Sequence, residues 1–108
     1  MNILTLNEEM LLLVVFKLED NAYGVTIMEK IREISGKNIV FGTLYNSLAK
    51  LKEKGYVETS LGEPTPERGG KSKVFYSMTK KGTEALLETR HFHQKLWRWM
   101  PDSGSGGN

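Results

Sequence analysis

Apolar positions recur at two rhythms along this chain, and each change of rhythm marks a change of element. Met10 to Phe16 is apolar for nearly two helical turns. It predicts a first helix from about residue 6 to Glu19, buried on every side. Thr5 and Glu8 have the spacing of a capping box at its start. Asp20 to Gly24 reads as a turn. Ile27, Met28, Ile31 and Ile34 then share one face of a second helix, from about Val25 to Ser35, while Glu29, Arg32 and Glu33 face water. Gly36 suits the residue after its end, because glycine enters the left-handed region without penalty. Asn38 to Phe41 is a link that offers a short third strand. Leu44, Leu48 and Leu51 form the buried stripe of a third helix, which stops at Gly55 as the second stops at Gly36. The period then drops to two. Val57, Thr59 and Leu61, and later Val74, Tyr76 and Met78, predict two strands, each with one buried face. A long loop, Gly62 to Gly70, joins them. Thr79 caps a last helix that reaches Met100, before Pro101. Ala85, Thr89, Phe92, Leu96 and Met100 form its stripe, flanked by Trp97 and Trp99, with Leu86 and His93 near the edge.

This order predicts a mainly α fold with a small β-hairpin, an α+β winged helix-turn-helix. The winged domain spans 1–82, a dimerisation helix 83–100, and a tail 101–108 that is flexible by its Gly/Ser composition. The first helix is more apolar than one small core requires, and the last carries a large aromatic stripe at the chain end. We expect a homodimer in which the last helix lies across the partner's first, with Leu11, Leu12, Phe92, Leu96, Trp97 and Met100 at the interface. Packing of the last helix on the first helix of its own chain is the alternative.

The outer face of the third helix carries Thr43, Asn46, Ala49, Lys50 and Glu53. In a DNA major groove, Asn pairs with adenine, Lys with guanine, and a Thr methyl meets thymine. An ordinary solvated face would look similar, but the hairpin loop adds Arg68, Lys71 and Lys73 among glycines that allow close approach to phosphate. Thr43, Asn46 and Lys50 are therefore expected at base edges or adjacent phosphates, Tyr45 at the flank of that face, and Arg68, Lys71 and Lys73 on the backbone beside a minor groove. Charge agrees. The net charge of +2 over 108 residues divides into −3 for residues 1–36, +5 for 37–81 and zero for 82–108, so the excess sits where a polyanion would dock.

Other classes find little support. There is no cysteine, hence no disulfide framework or thiolate zinc site. No secretory leader is evident, and the apolar run is too short to span a bilayer. A cytoplasmic protein without membrane contact is expected. Gly70-Lys71-Ser72 resembles the end of a phosphate-binding loop, but Thr65 stands where glycine is needed and a strand follows instead of a helix. His91 and His93 lie about 200° apart around a helix and cannot share a metal. No nucleophile–histidine pattern occurs. The chain reads as a non-enzyme without cofactor or metal.

Several motifs resemble the PadR-like transcriptional regulators: Ala22-Tyr-Gly-Val25, Gly42-Thr-Leu-Tyr45 with Leu48 and Leu51, Glu53-Lys-Gly-Tyr-Val57, Gly69-Gly-Lys-Ser-Lys73 with Phe75-Tyr76, and Thr79-Lys-Lys-Gly82. The likeness runs from about residue 6 to 100. It implies a winged-helix homodimer that binds double-stranded DNA at a palindromic operator, usually as a repressor. The loop resembles a subgroup found beside exporter genes. Some small relatives bind planar hydrophobic compounds between aromatic side chains at the dimer interface, which implies such a role for Trp97, and Trp99 beside it. The chain departs from the pattern in two places. Val40-Phe41 replace a frequent Ser-Pro, removing the usual capping hydroxyl. Lys71 and Lys73 replace frequent arginines, which keeps phosphate neutralisation but loses bidentate geometry. A winged-helix protein-interaction module without specific DNA binding is the alternative function; it would not require cations on both helix and loop.

Overall fold

Thr5 and Glu8 form the capping box that their spacing predicts. The Thr5 hydroxyl accepts from the Glu8 N–H at 3.1 Å, and the Glu8 carboxylate accepts from the Thr5 N–H at 2.9 Å. They open α1, Leu6–Leu18, in a computed structural model that describes residues 2–63 and 72–101. A 3-10 turn at Glu19–Asn21 leads to α2, Gly24–Ser35, which ends on Gly36 at φ 71°. The third helix, α3, spans Phe41–Glu53; strands β1, Val57–Leu61, and β2, Val74–Met78, form an antiparallel pair; α4 spans Lys80–Trp97. The α+β winged-helix architecture is the one expected.

The core lies where α1 crosses the other helices. Leu11, Leu12 and Val15 of α1, Ile27 of α2, and Leu44, Leu48 and Leu51 of α3 are almost wholly buried there, and Ala85 brings in the first half of α4. Burying side chains of this size stabilises the fold by about 1.5–3 kcal/mol each before entropy is counted. Leu11 and Leu12 were expected at a subunit interface. They are fully buried within their own chain and present no surface to a second copy. The helix turns Leu6, Leu13 and Phe16 outward instead, at 82, 50 and 65 % exposure.

Other expectations change as well. No strand forms at Asn38–Phe41; the hairpin's third neighbour is Tyr23, which bridges Phe75, while the Tyr76 N–H donates to the Ala22 carbonyl at 2.8 Å. The strand alternation fades towards the loop, where Leu61 and Val74 are exposed because no helix lies beneath them. Ile34 is also exposed, one turn past the last buried residue of α2. The last helix stops at Trp97, short of Met100, and residues 98–100 form turns.

Two polar ties close the domain. The buried Thr89 hydroxyl accepts from the Leu4 N–H at 3.0 Å and donates to the Ala85 carbonyl at 2.7 Å. Lys54, just past α3, pairs with Glu8. Burial pushes the Glu8 carboxyl up, but the Lys54 hydrogen bond and charge, with bonds from Thr5, hold it below the ordinary glutamate value. The same bond raises Lys54 above the usual lysine value. A lowered acid stabilises the fold above its unfolded pKa and loses that contribution as pH falls through the folded one. A raised base contributes below its unfolded pKa and loses that contribution at alkaline pH. Glu8→Gln keeps the capping acceptor but removes the charge. It should cost about 0.5–1 kcal/mol in urea melts at pH 7, and the difference should fade as the carboxyl protonates at acid pH. A cost unchanged at low pH would assign the loss to packing.

Candidate nucleic-acid interface

The leucine stripe of α3 turns inward and thereby fixes what the helix presents outward. Thr43, Asn46, Ala49, Lys50 and Glu53 are all exposed. Ser47, at the margin, accepts from the Asn7 side-chain amide at 3.2 Å and ties α3 to α1.

Tyr45 is placed by contact. Its ring stacks on Phe41, with centroids 5.9 Å apart and planes at 16°. Its hydroxyl end fills the space that a side chain on Gly24 would occupy: a Cβ there would stand 2.0 Å from the Tyr45 oxygen. Glycine at the start of α2 leaves the room that the Tyr45 hydroxyl takes. Tyr45 also neighbours Tyr76 of the hairpin, whose phenol is pushed above its usual pKa by burial and then by Tyr45.

The hairpin is docked through Tyr23. The Tyr23 and Phe75 rings meet edge to face at 5.4 Å. Lys73 Nζ lies 4.3 Å from the centre of the Tyr23 ring and 3.3 Å from its hydroxyl. Lys73 was expected on phosphate; here its ammonium rests on an aromatic face, at the junction of hairpin and α2. Phe75 lies against Gly62, where a Cβ would meet its ring at 2.4 Å. Arg68 and Lys71 lie outside the described residues. The start of α2, the first half of α3 and the outer part of the hairpin thus make one continuous surface. The motif Ala22-Tyr-Gly-Val25 contains Tyr23 and Gly24, but it carries no sign of their roles as seats for Lys73 and Tyr45. Nothing in the periodicity signals a contact between residues 50 positions apart.

A second surface is apolar. Leu6, Met10, Leu13 and Ile34 line a groove between α1 and α2, and Leu13, Phe16, Leu86 and Leu87 line another between α1 and α4. Phe92 and Leu96 are half-buried, whereas Trp97, Trp99 and Met100 are exposed at the end of α4. His93 Nε2 stands 3.4 Å from a Glu9 oxygen. Among the described residues, no three histidine or carboxylate side chains gather as for a metal, and no helix is long and apolar enough to cross a membrane.

The model of the transcriptional regulator PadR-like family matches residues 11–88. The chain belongs to this family. A PadR-like transcription factor from Bacteroides fragilis shares 30% identity over 83% of this chain and 82% of that one, with a TM-score of 0.72. The complex structure of hsRosR-S4 gives 0.70 at 25% identity, covering 94% and 81% of the two chains. A PadR-like transcriptional regulator from Bacillus cereus gives 0.68 at 21%, covering 83% and 82%, a likeness of fold alone. Comparison with curated proteins gives no match. Membership makes this PadR-like chain a transcriptional regulator of a DNA-binding, non-enzymatic family, and makes the hairpin its wing.

Proposed function

We propose that the chain is a repressor that binds a palindromic operator as a homodimer, with α3 in the major groove and the wing along the backbone. The observation that carries this reading is the outward face of α3. Its side chains are hydrogen-bonding, small or charged, and Tyr45 on its flank neighbours Tyr76 of the wing. Thr43, Asn46 and Lys50 meet base edges or adjacent phosphates, and Tyr45 flanks them. Lys73 holds positive charge at the wing junction, while Arg68 and Lys71 supply it in the loop. Two-fold symmetry would set half-sites about 34 Å apart.

The exposed stripe of α1 and the aromatic end of α4 support the dimer. Leu6, Leu13 and Phe16, with Trp97, Trp99 and Met100, stand exposed there, as apolar side chains at an interaction surface do. Phe92, Leu96, Trp97 and Met100 meet the partner across these grooves, with Leu6, Leu13 and Phe16 in place of Leu11 and Leu12. Trp97 and Trp99 stack a planar hydrophobic ligand there. Such a ligand relieves repression by favouring one arrangement of the two reading heads over another. An exporter operon, in a bacterial cytoplasm, is the regulated target.

Footprinting of the DNA upstream of the chain's own gene, against excess unrelated competitor, tests the reading. The wild type should protect a palindrome. Asn46→Ala should lose about tenfold in affinity for that site and little for random DNA, as expected for a lost bidentate base contact. Absence of DNA affinity even at low salt would favour the protein-interaction module instead.

A further inference from the structure

The first turn of α3 is apolar at a place where the fold gives apolar residues nothing to cover. Val40 is 72 % exposed and Phe41 is 43 % exposed. Val40 is the N-cap of α3 and makes no side-chain cap bond, although a Ser, Thr, Asp or Asn there would satisfy a free N–H. Phe41 is not loose: its ring is stacked on Tyr45, which is itself seated against Gly24. Beside it Gly42 is open, with nothing within 4 Å of where a Cβ would stand. Val40 and the stacked Phe41 therefore form an exposed apolar tip.

The tip stands at the N-terminal end of α3, ahead of the turns that carry Thr43, Asn46 and Lys50, with Phe41 on the flank it shares with Tyr45. Neither Val40 nor Phe41 lines the grooves beside α1, where a second copy would pack. In groove-reading helices the N-terminal residues are the ones that reach base edges. The major groove offers an apolar side chain one matching feature, the C5-methyl group of thymine.

We propose that Val40 and Phe41 are specificity-determining residues that lie against thymine methyl groups in each half-site. The proposal rests on the DNA-binding reading above. Thymine is then favoured at the one or two base pairs under the start of α3, and the contact is made by carbon rather than by hydrogen bonds.

The test removes the methyl group and leaves every hydrogen-bonding group in place. Duplexes enriched by the wild-type chain from a randomised pool are synthesised with thymine or with uracil at single positions. Dissociation constants are then measured for wild type, Val40→Ser and Phe41→Ser. Uracil at one or two positions per half-site should weaken the wild type by about fourfold each, the worth of one buried methyl-sized group. The variants should show a smaller penalty at those same positions. Val40 is the more exposed of the two, so its serine variant keeps the fold, and the wild-type comparison needs no variant. Equal affinity for thymine and uracil duplexes, with sequence preference intact, overturns the proposal and leaves the DNA-binding reading standing. A uracil penalty undiminished in both variants assigns the methyl contact elsewhere, to Thr43 for example, and also overturns it. A pool that yields no enriched sequence overturns both readings.

Discussion

Gly82→Ala should lower the stability of the fold by about 2–4 kcal/mol, more than any surface substitution in the chain. Gly82 lies buried in the first turn of α4, pressed against the strand entry. A Cβ there would stand 2.3 Å from the Tyr56 carbonyl oxygen and 2.9 Å from Met78 Cγ. The carbonyl cannot withdraw easily. It accepts from the Thr79 N–H at 3.0 Å, and the Tyr56 N–H donates to the Leu51 carbonyl at 2.9 Å. The Thr79 hydroxyl bonds the Gly55 carbonyl at 2.6 Å and accepts from the Gly82 N–H at 3.0 Å, so α4 is locked from its own side too. Alanine would otherwise be favoured in a helix by about 1 kcal/mol, which makes the sign of the result informative. Thermal melts should show a drop of roughly 10–25 °C for a domain of this size. An unchanged melting point would show that α4 can slide on the wing. That outcome would remove the rigid link between the reading helix and the helix proposed to join two copies.

Operator affinity should fall by roughly 10³–10⁵ between 50 and 200 mM salt. Lys50, Arg68, Lys71 and Lys73 give each chain four candidate cations, hence about eight in a pair, and eight neutralised phosphates correspond to a slope of about −7 in log affinity against log salt. The small total charge of the chain does not contradict this. The acidic residues that offset the basic segment are concentrated in residues 1–36, and a groove responds to the charges that line it. A fluorescence-anisotropy series at several salt concentrations measures the slope. A response flatter than about −3 would show that few of these cations reach phosphate. Lys73, already resting on Tyr23, would be the first to exclude.

The helices were legible because burial imposes a period. Leu44, Leu48 and Leu51 had one way to be buried together, and that choice exposed Asn46 and Lys50 without further information. The same logic misled at Leu11 and Leu12. Where α1 is apolar all round, period cannot say which side faces its own core, and the surrounding helices decide. It also failed at Leu61 and Val74, since alternation records which face a strand could bury but not how far a covering helix extends. The hairpin's third partner was misplaced because Tyr23 makes a single bridge, and one bridge leaves no pattern. Long-range side-chain contacts, such as Lys54 with Glu8 or Tyr45 with Gly24, depend on angles between elements that no local sequence pattern carries.

The bond between the Leu4 N–H and Thr89 joins positions 85 residues apart, and so constrains how the chain is made. As it leaves the ribosome, α1 emerges first and its leucines wait for the other elements. The helices α2 and α3 can cover one side early. The last seal waits until the first half of α4 has emerged. Until then the newborn chain carries exposed leucine surface, the condition in which unfinished domains associate wrongly. A long-range closure of this kind also slows folding relative to a bundle held by neighbours in sequence. The core of this domain is therefore closed only once α4 has joined α1.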